Sequence, residues 1–317
     1  MSNKRINKAY VRYDGTGRVI PGSLILNRFK PQVGNWSEIP AYECCNEQCL
    51  TLQVTTLSTN QNIYFYLAVY ENTNSDVTFN WGDGSPAEKF NINNITDFDE
   101  ITHRYSTAGN YTAKVCFSNP ANMYIAPIIG SEGAHITSIS DITIFKNLFV
   151  LSLDNNVGIT IVGSSPLHEL FLTYCGLTSL NGFDFSLYPN LEHLELLHNS
   201  FTSLTLPSTL SNLQYLYLDS NYSLASVDLS ALTSLLELHI SFCNLTSLNI
   251  TPLNNLEYLD ANSNNLSSTT VDNILAELDA DGVVNGFVSL LNNSVPGAAG
   301  LISKGNLIGK GWTVETD

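Results

Sequence analysis

The amino-acid sequence predicts a mainly β protein: a two-layer β-sandwich, then a solenoid of short repeats, closed by an α/β C-terminal cap. Three observations carry this prediction. Between Leu148 and Leu266 one eleven-residue phrase restarts six times. From about Leu50 to Phe117, short runs of alternating apolar and polar residues are separated by turn signals. Beyond Leu266 the pattern changes to a helical stretch followed by strand, short helix and strand. The organisation that follows is an N-terminal arm over 1–46, a sandwich over 47–120, a solenoid with its N-terminal cap over 121–266, and a C-terminal cap over 267–317.

The arm stands apart by charge. Lys4, Arg5, Lys8, Arg12, Arg18, Arg28 and Lys30 face only Asp14 and Glu38 in the first forty positions, a balance of +5. With a whole-chain charge of −16, the remainder carries −21. So acidic a body disfavours nucleic-acid binding by the repeats. The arm also holds Tyr10, Val11, Val19, Ile20, Leu24, Ile25, Leu26 and Phe29, which makes it a protein-docking segment. Its start, MSNKRINKAYVRYDG, is positive but lacks the apolar stretch of roughly 7–15 residues that an export signal needs. No apolar run approaches the ~20 residues of a membrane span. The expectation is a soluble chain that does not use the ordinary secretory route.

Only 13% of residues are charged, about half the usual quarter. Asn, Ser and Thr supply the solvation instead, as in many extracellular and virion β-structures. The six cysteines are few for the length and lie largely in expected strands, so they do not read as a disulfide framework. Cys44, Cys45 and Cys49 cluster without a fourth ligand or a CxxC pair. They are expected to form a packed, reduced turn between arm and sandwich, with no metal.

In the sandwich the runs are LTLQVTTL, IYFYLAVY, VTFNWGDGS and HRYSTAGNYTAKVCF. WGDGS followed by H-x-Y-x-x-x-G-x-Y-x-x-x-V, here Trp81, Gly82, Asp83, Gly84, His103, Tyr105, Gly109, Tyr111 and Val115, resembles the polycystic-kidney-disease (PKD) domain family, an immunoglobulin-like sandwich. Gly82 and Gly84 suit a tight turn, Asp83 suits bonds to its amides, and Trp81 and Tyr111 suit the core. His103 is expected as a satisfied turn histidine rather than a catalytic one. Asp97, Asp99 and Glu100 fall on the expected intervening loop without EF-hand spacing for calcium.

The six phrases begin at Leu148, Leu167, Leu191, Leu213, Leu235 and Leu256, at spacings of 19, 24, 22, 22 and 21 residues. Their ninth residues are Asn156, Cys175, Asn199, Asn221, Cys243 and Asn264. The pattern L-x-x-L-x-L-x-x-N/C-x-L resembles the leucine-rich repeat family. Each unit offers a strand whose leucines are buried only when neighbours stack. An asparagine at the ninth position can satisfy buried backbone groups, and a cysteine can fill the same slot without redox chemistry. YIAPII and ITSISDITIF, within 124–147, are expected to start the solenoid. STTVDNILAELDADG is expected as a helix capped by Ser or Thr and stopped at Gly282.

The leucine-rich repeat resemblance implies that the third and fifth phrase positions line a concave face. These are Val150 and Ser152, Glu169 and Phe171, His193 and Glu195, Tyr215 and Tyr217, Glu237 and His239, and Tyr258 and Asp260. With rungs ~5 Å apart they would form two columns. Glu169, Phe171, His193, Glu195, Tyr215, Tyr217, Glu237, His239 and Tyr258 are the candidate binding residues, suited to sugar rings or peptide side chains. Cross-strand packing is the other reading of the same residues. Metal capture by His193, Glu195 and His239 is set aside because Tyr217 would hold the fifth-position pair ~10 Å apart. No GxSxG, HExxH or phosphate-cradling glycine loop occurs, so no catalytic residue, metal or cofactor is assigned.

The arm segment KAYVRYDGTGRVIPGSLILNRFKPQVGNWSEIPAYECC and the ending GLISKGNLIGKGWTV resemble segments of structural proteins of crAss-like bacteriophages of gut bacteria. That resemblance implies a non-enzymatic virion protein, a capsid or tail appendage such as a head fibre. Its arm would dock on virion proteins, and its body would meet host or mucosal glycans or a surface protein. Lysis would release it without an export signal. The alternatives are a bacterial cell-surface leucine-rich-repeat adhesin and an intracellular protein-interaction module. Homo-oligomerisation is left open.

Overall fold

The computed structural model describes residues 48–69, 73–92, 99–129 and 134–317, together with three arm strands, β1 (Lys8–Arg12), β2 (Ile25–Asn27) and β3 (Trp36–Ile39). These three form an antiparallel sheet with β1 in the middle.

Period-2 alternation from Gln48 onward produces the strands expected of a sandwich. One sheet is ordered β11 (Ala134–Ile139), β4 (Gln48–Thr56), β9 (Gly109–Phe117), β6 (Ser75–Asn80), β7 (Glu88–Ile92). The other contains β8 (Asp99–Tyr105), β5 (Gln61–Val69) and β10 (Met123–Ile129). Between them lie the buried rings of Phe65, Phe79, Trp81, Tyr105 and Phe117.

Several expectations change here. Cys49 is not part of a reduced turn. It lies on β4 directly opposite Cys116 of β9, and the two form a disulfide. Sequence spacing hides this because 67 residues separate two cysteines that the antiparallel register makes neighbours. Cys44 and Cys45 lie outside the described residues. Tyr111 is half-buried rather than in the core: it stacks on Tyr105 at 4.4 Å and donates its hydroxyl to Thr107 O at 2.8 Å. The buried ring is Tyr105, whose hydroxyl reaches Trp81 O at 3.1 Å. His103 sits in strand β8, not in a turn, stacked on Trp81 with its Nε2 2.9 Å from Asp83 Oδ2. The Trp81 indole nitrogen is buried without a hydrogen-bond partner. Asp99 and Glu100 open strand β8 instead of lying on a loop, and Asp97 lies outside the described residues.

β10 and β11 belong to the sandwich, although residues 124–147 are expected as the start of the solenoid. β10 is shared: it pairs antiparallel with β5 and parallel with β12 (Val150–Ser152), so one sandwich sheet continues directly into the repeat region.

From β12 onward the rungs are three-residue parallel strands: β13 (Glu169–Phe171), β14 (His193–Glu195), β16 (Tyr215–Tyr217), β18 (Glu237–His239) and β19 (Tyr258–Asp260). Two further rungs, β20 (Phe287–Ser289) and β21 (Thr313–Glu315), complete an eleven-stranded sheet. A second parallel pair, β15 (Ser203–Thr205) and β17 (Ser226–Asp228), lies outside this sheet. The leucines at the first and fourth phrase positions are all buried.

Each phrase turns at its eighth residue, where Asn155, Tyr174, His198, Ser220, Phe242 and Ser263 adopt φ between 52° and 60°. The ninth side chain then fills the turn. Asn199 accepts from Leu177 N at 3.0 Å and donates to Leu172 O and Leu196 O at 2.8 and 2.9 Å. Cys175 and Cys243 occupy the same slot, each with Sγ directed at a carbonyl of the preceding unit, Leu153 O at 3.2 Å and Leu218 O at 3.5 Å. Asn293 repeats the arrangement in the cap, accepting from Leu266 N at 3.0 Å.

Helix α1 (Ser268–Ala280) begins at Ser267, whose hydroxyl accepts from Thr270 N, and Gly282 follows its end with φ 77°. It turns Val271, Ile274, Leu275 and Leu278 into the core. Helix α2 (Ala298–Gly309) packs beside it, joined by Asp272 Oδ1 accepting from Gly297 N at 2.7 Å and by Lys310 to Asp279 at 2.6 Å.

Candidate functional site

Each rung from β13 to β19 buries only its middle side chain, so its two flanking residues face outward together, whereas Ser152 on β12 and Ser289 on β20 are buried. Leu170, Leu194, Leu216, Leu238 and Leu259 are fully buried, and their neighbours on each strand are half-buried. Parallel pairing in register then aligns these neighbours without a slip. One column runs Val150, Glu169, His193, Tyr215, Glu237, Tyr258, Phe287, Thr313. The other runs Ser152, Phe171, Glu195, Tyr217, His239, Asp260, Ser289, Glu315. All nine candidate face residues fall in these columns.

Aromatic contacts run along the face. Phe171 meets His193 at 5.1 Å, His193 meets Tyr217 at 4.9 Å, and Tyr217 meets His239 at 4.3 Å. His239 stacks on Tyr258 at 4.7 Å and Tyr258 on Phe287 at 4.6 Å. Sequence reasoning missed Phe287, because Asn285 and Val288 stand where the phrase carries leucines and obscure a seventh unit. It also missed Asp154 and Asp219, which share the seventh phrase position. Each ties its rung to the next, Asp154 accepting from Thr173 N at 2.7 Å and Asp219 from Ser241 N at 2.6 Å.

The face is acidic and partly dehydrated. Burial raises the pKa of Asp154, Glu195 and Asp219 above the ordinary carboxylate range, outweighing the hydrogen bonds each accepts. Burial lowers that of His193, whose Nε2 has no hydrogen-bond partner. Glu237 links two rungs: Tyr217 donates its hydroxyl to Oε1 at 3.0 Å, and His239 Nε2 lies 2.7 Å from the same oxygen. Tyr217 is pushed up by burial and by that bond. Toward the cap, Tyr215, Glu237, Glu257, Tyr258, Phe287 and Thr313 border a cleft of about 410 Å³.

His193 and Glu195 share β14, while His239 lies two rungs away and pairs with Glu237. Among the described residues no group of three His, Cys, Asp or Glu side chains is placed to hold a metal. Of the arm candidates, Lys8, Tyr10 and Arg12 lie on β1, whereas Lys4, Arg5, Arg18, Arg28 and Lys30 lie outside the described residues. Among the described residues no helix is long and apolar enough to cross a membrane.

Residues 50–123 match the PKD domain family, a span that begins in β4 and ends where β10 starts. A domain of this kind points to protein interaction or adhesion. No curated protein matches the chain.

Proposed function

We propose that this is a non-enzymatic recognition protein of a crAss-like bacteriophage particle. Its arm docks on capsid or tail proteins, and its PKD and leucine-rich-repeat body presents a concave face to a host or mucosal glycan or surface protein. The observation that carries the proposal is the pair of in-register columns, in which aromatic, histidine and carboxylate side chains stand half-buried over the five successive rungs β13, β14, β16, β18 and β19, with Phe287 continuing the first column on β20. Such residues are the ones enriched at binding anchors. Six in-frame phrases, each ending in a turn filled by asparagine or cysteine, support the leucine-rich-repeat assignment of 148–266. The Cys49–Cys116 bond suits surroundings outside a reducing cytosol and weighs against the intracellular module. Burial pushes the Cys175 and Cys243 thiols up to about 12, which leaves neither as a thiolate nucleophile.

A bacterial surface adhesin is the second reading, favoured by the PKD match. Deleting residues 1–46 tests the docking arm on which the first reading rests. Loss of incorporation into particles, with the β-body still folded by circular dichroism, supports the virion role, and unimpaired incorporation refutes the docking arm. On the face, Tyr215→Ala with Tyr217→Ala is expected to weaken ligand binding with little change in melting temperature.

A further inference from the structure

From Asn147 to Ser303 the chain holds fourteen aspartates and glutamates and no lysine or arginine. Seven of the eight rungs lie in this stretch, and so does most of the cleft near the cap. There Glu237 is flanked in register by Tyr215 and Tyr258, Tyr258 stacks on Phe287 at 4.6 Å, and Glu257 lies on the same border. Aromatic faces attract a cation through their ring quadrupoles. Carboxylates accept charge-assisted hydrogen bonds, and a guanidinium offers them a planar fork of donors. A phosphate, sulfate or sugar carboxylate would instead enter a field of its own sign.

The acids also recur along the face, with Glu169, Glu195, Glu237, Asp260 and Glu315 on successive or near-successive rungs. Rungs ~5 Å apart over this length match an extended polypeptide of about ten residues better than a single small cation. We propose that the cleft takes an arginine side chain of an extended basic polypeptide segment laid across the rungs. This rests on the recognition role of the face and adds the charge and chemical class of what it recognises.

The test uses the full chain and a fluorescent decapeptide of alternating glycine and arginine, with a citrulline counterpart that keeps the shape and removes the charge. Binding of the arginine peptide should weaken as ionic strength rises. It should weaken by about tenfold in Glu237→Gln/Glu257→Gln, and comparably in Phe287→Leu should the first variant fail to fold. The citrulline peptide should not bind at the same concentrations. Equal binding of the two peptides, or unchanged binding in both variants, would overturn the proposal. A neutral oligosaccharide held by the face and lost in Tyr215→Ala/Tyr217→Ala, with no arginine-peptide binding, would overturn the cationic class and leave the recognition role standing. If no probe responds to any change on the face, both fall.

Discussion

Replacing Asn199 with alanine removes the side chain that closes the third turn of the ladder. The asparagine is buried, accepts from Leu177 N, and donates to Leu172 O and Leu196 O. Leu196 O keeps a second donor, because Asn221 Nδ2 also reaches it at 3.0 Å. The substitution therefore strips this partner from two buried backbone groups, at ~1–3 kcal/mol each, and a loss of about 2–6 kcal/mol is expected. Asn221→Ala is the internal control. Its Oδ1 has no partner to lose, Leu196 O retains Asn199, and Leu218 O retains the Cys243 thiol at 3.5 Å. A loss near ~1 kcal/mol is expected there. Asn199→Cys should fall between wild type and Asn199→Ala, since Cys175 holds the same slot one unit earlier. Urea denaturation followed by circular dichroism measures all three. An Asn221→Ala loss as large as that of Asn199→Ala, or an Asn199→Ala loss under about 1 kcal/mol, would refute the assignment of the ninth position as a hydrogen-bonding plug.

Three further outcomes are expected. Cys49→Ser with Cys116→Ser, which opens a link across 67 residues, should lower sandwich stability by about 2–4 kcal/mol, and a thiol reductant should reproduce the fall in melting temperature. Gly82→Ala should destabilise far more than Gly84→Ala: both have positive φ, but a Cβ on Gly82 would meet Thr112 O at 2.2 Å while Gly84 has no neighbour within 4 Å. Glu195→Gln should raise the melting temperature at pH 7. Its carboxyl has a folded pKa raised above 4.5 by burial, so the wild-type penalty is present when the group is ionised and disappears as pH falls through the raised value toward 4.5. A wild type more stable than Glu195→Gln at pH 7, with the gap closing toward acid, would reverse that sign.

The repeat rungs were legible because their signal is redundant: six phrases place leucines at the same offsets, and period fixes both strand position and facing. The nine face residues followed directly from that offset. Beyond Leu266 the redundancy fades. Asn285 and Val288 break the leucine pattern, so the seventh unit is recognisable only through Leu290 and Asn293, and the repeat alone does not place Phe287 on the face. The disulfide was hidden because cross-strand partnership of Cys49 and Cys116 is a property of register, which no local pattern encodes. The same holds for β10. Its apolar run marks a strand, but not that it pairs with β5 on one side and β12 on the other. Tyr111 and Tyr105 both fit the sandwich motif, and only the packing decides that Tyr105 takes the interior and Tyr111 the edge.

The most direct test of a virion role is quantitative peptide mass spectrometry on density-purified phage particles from a culture producing this protein. Recovery in fixed stoichiometry with the capsid proteins is expected. Absence from particles, with recovery from the cell envelope, would contradict it and move the protein to the bacterial surface.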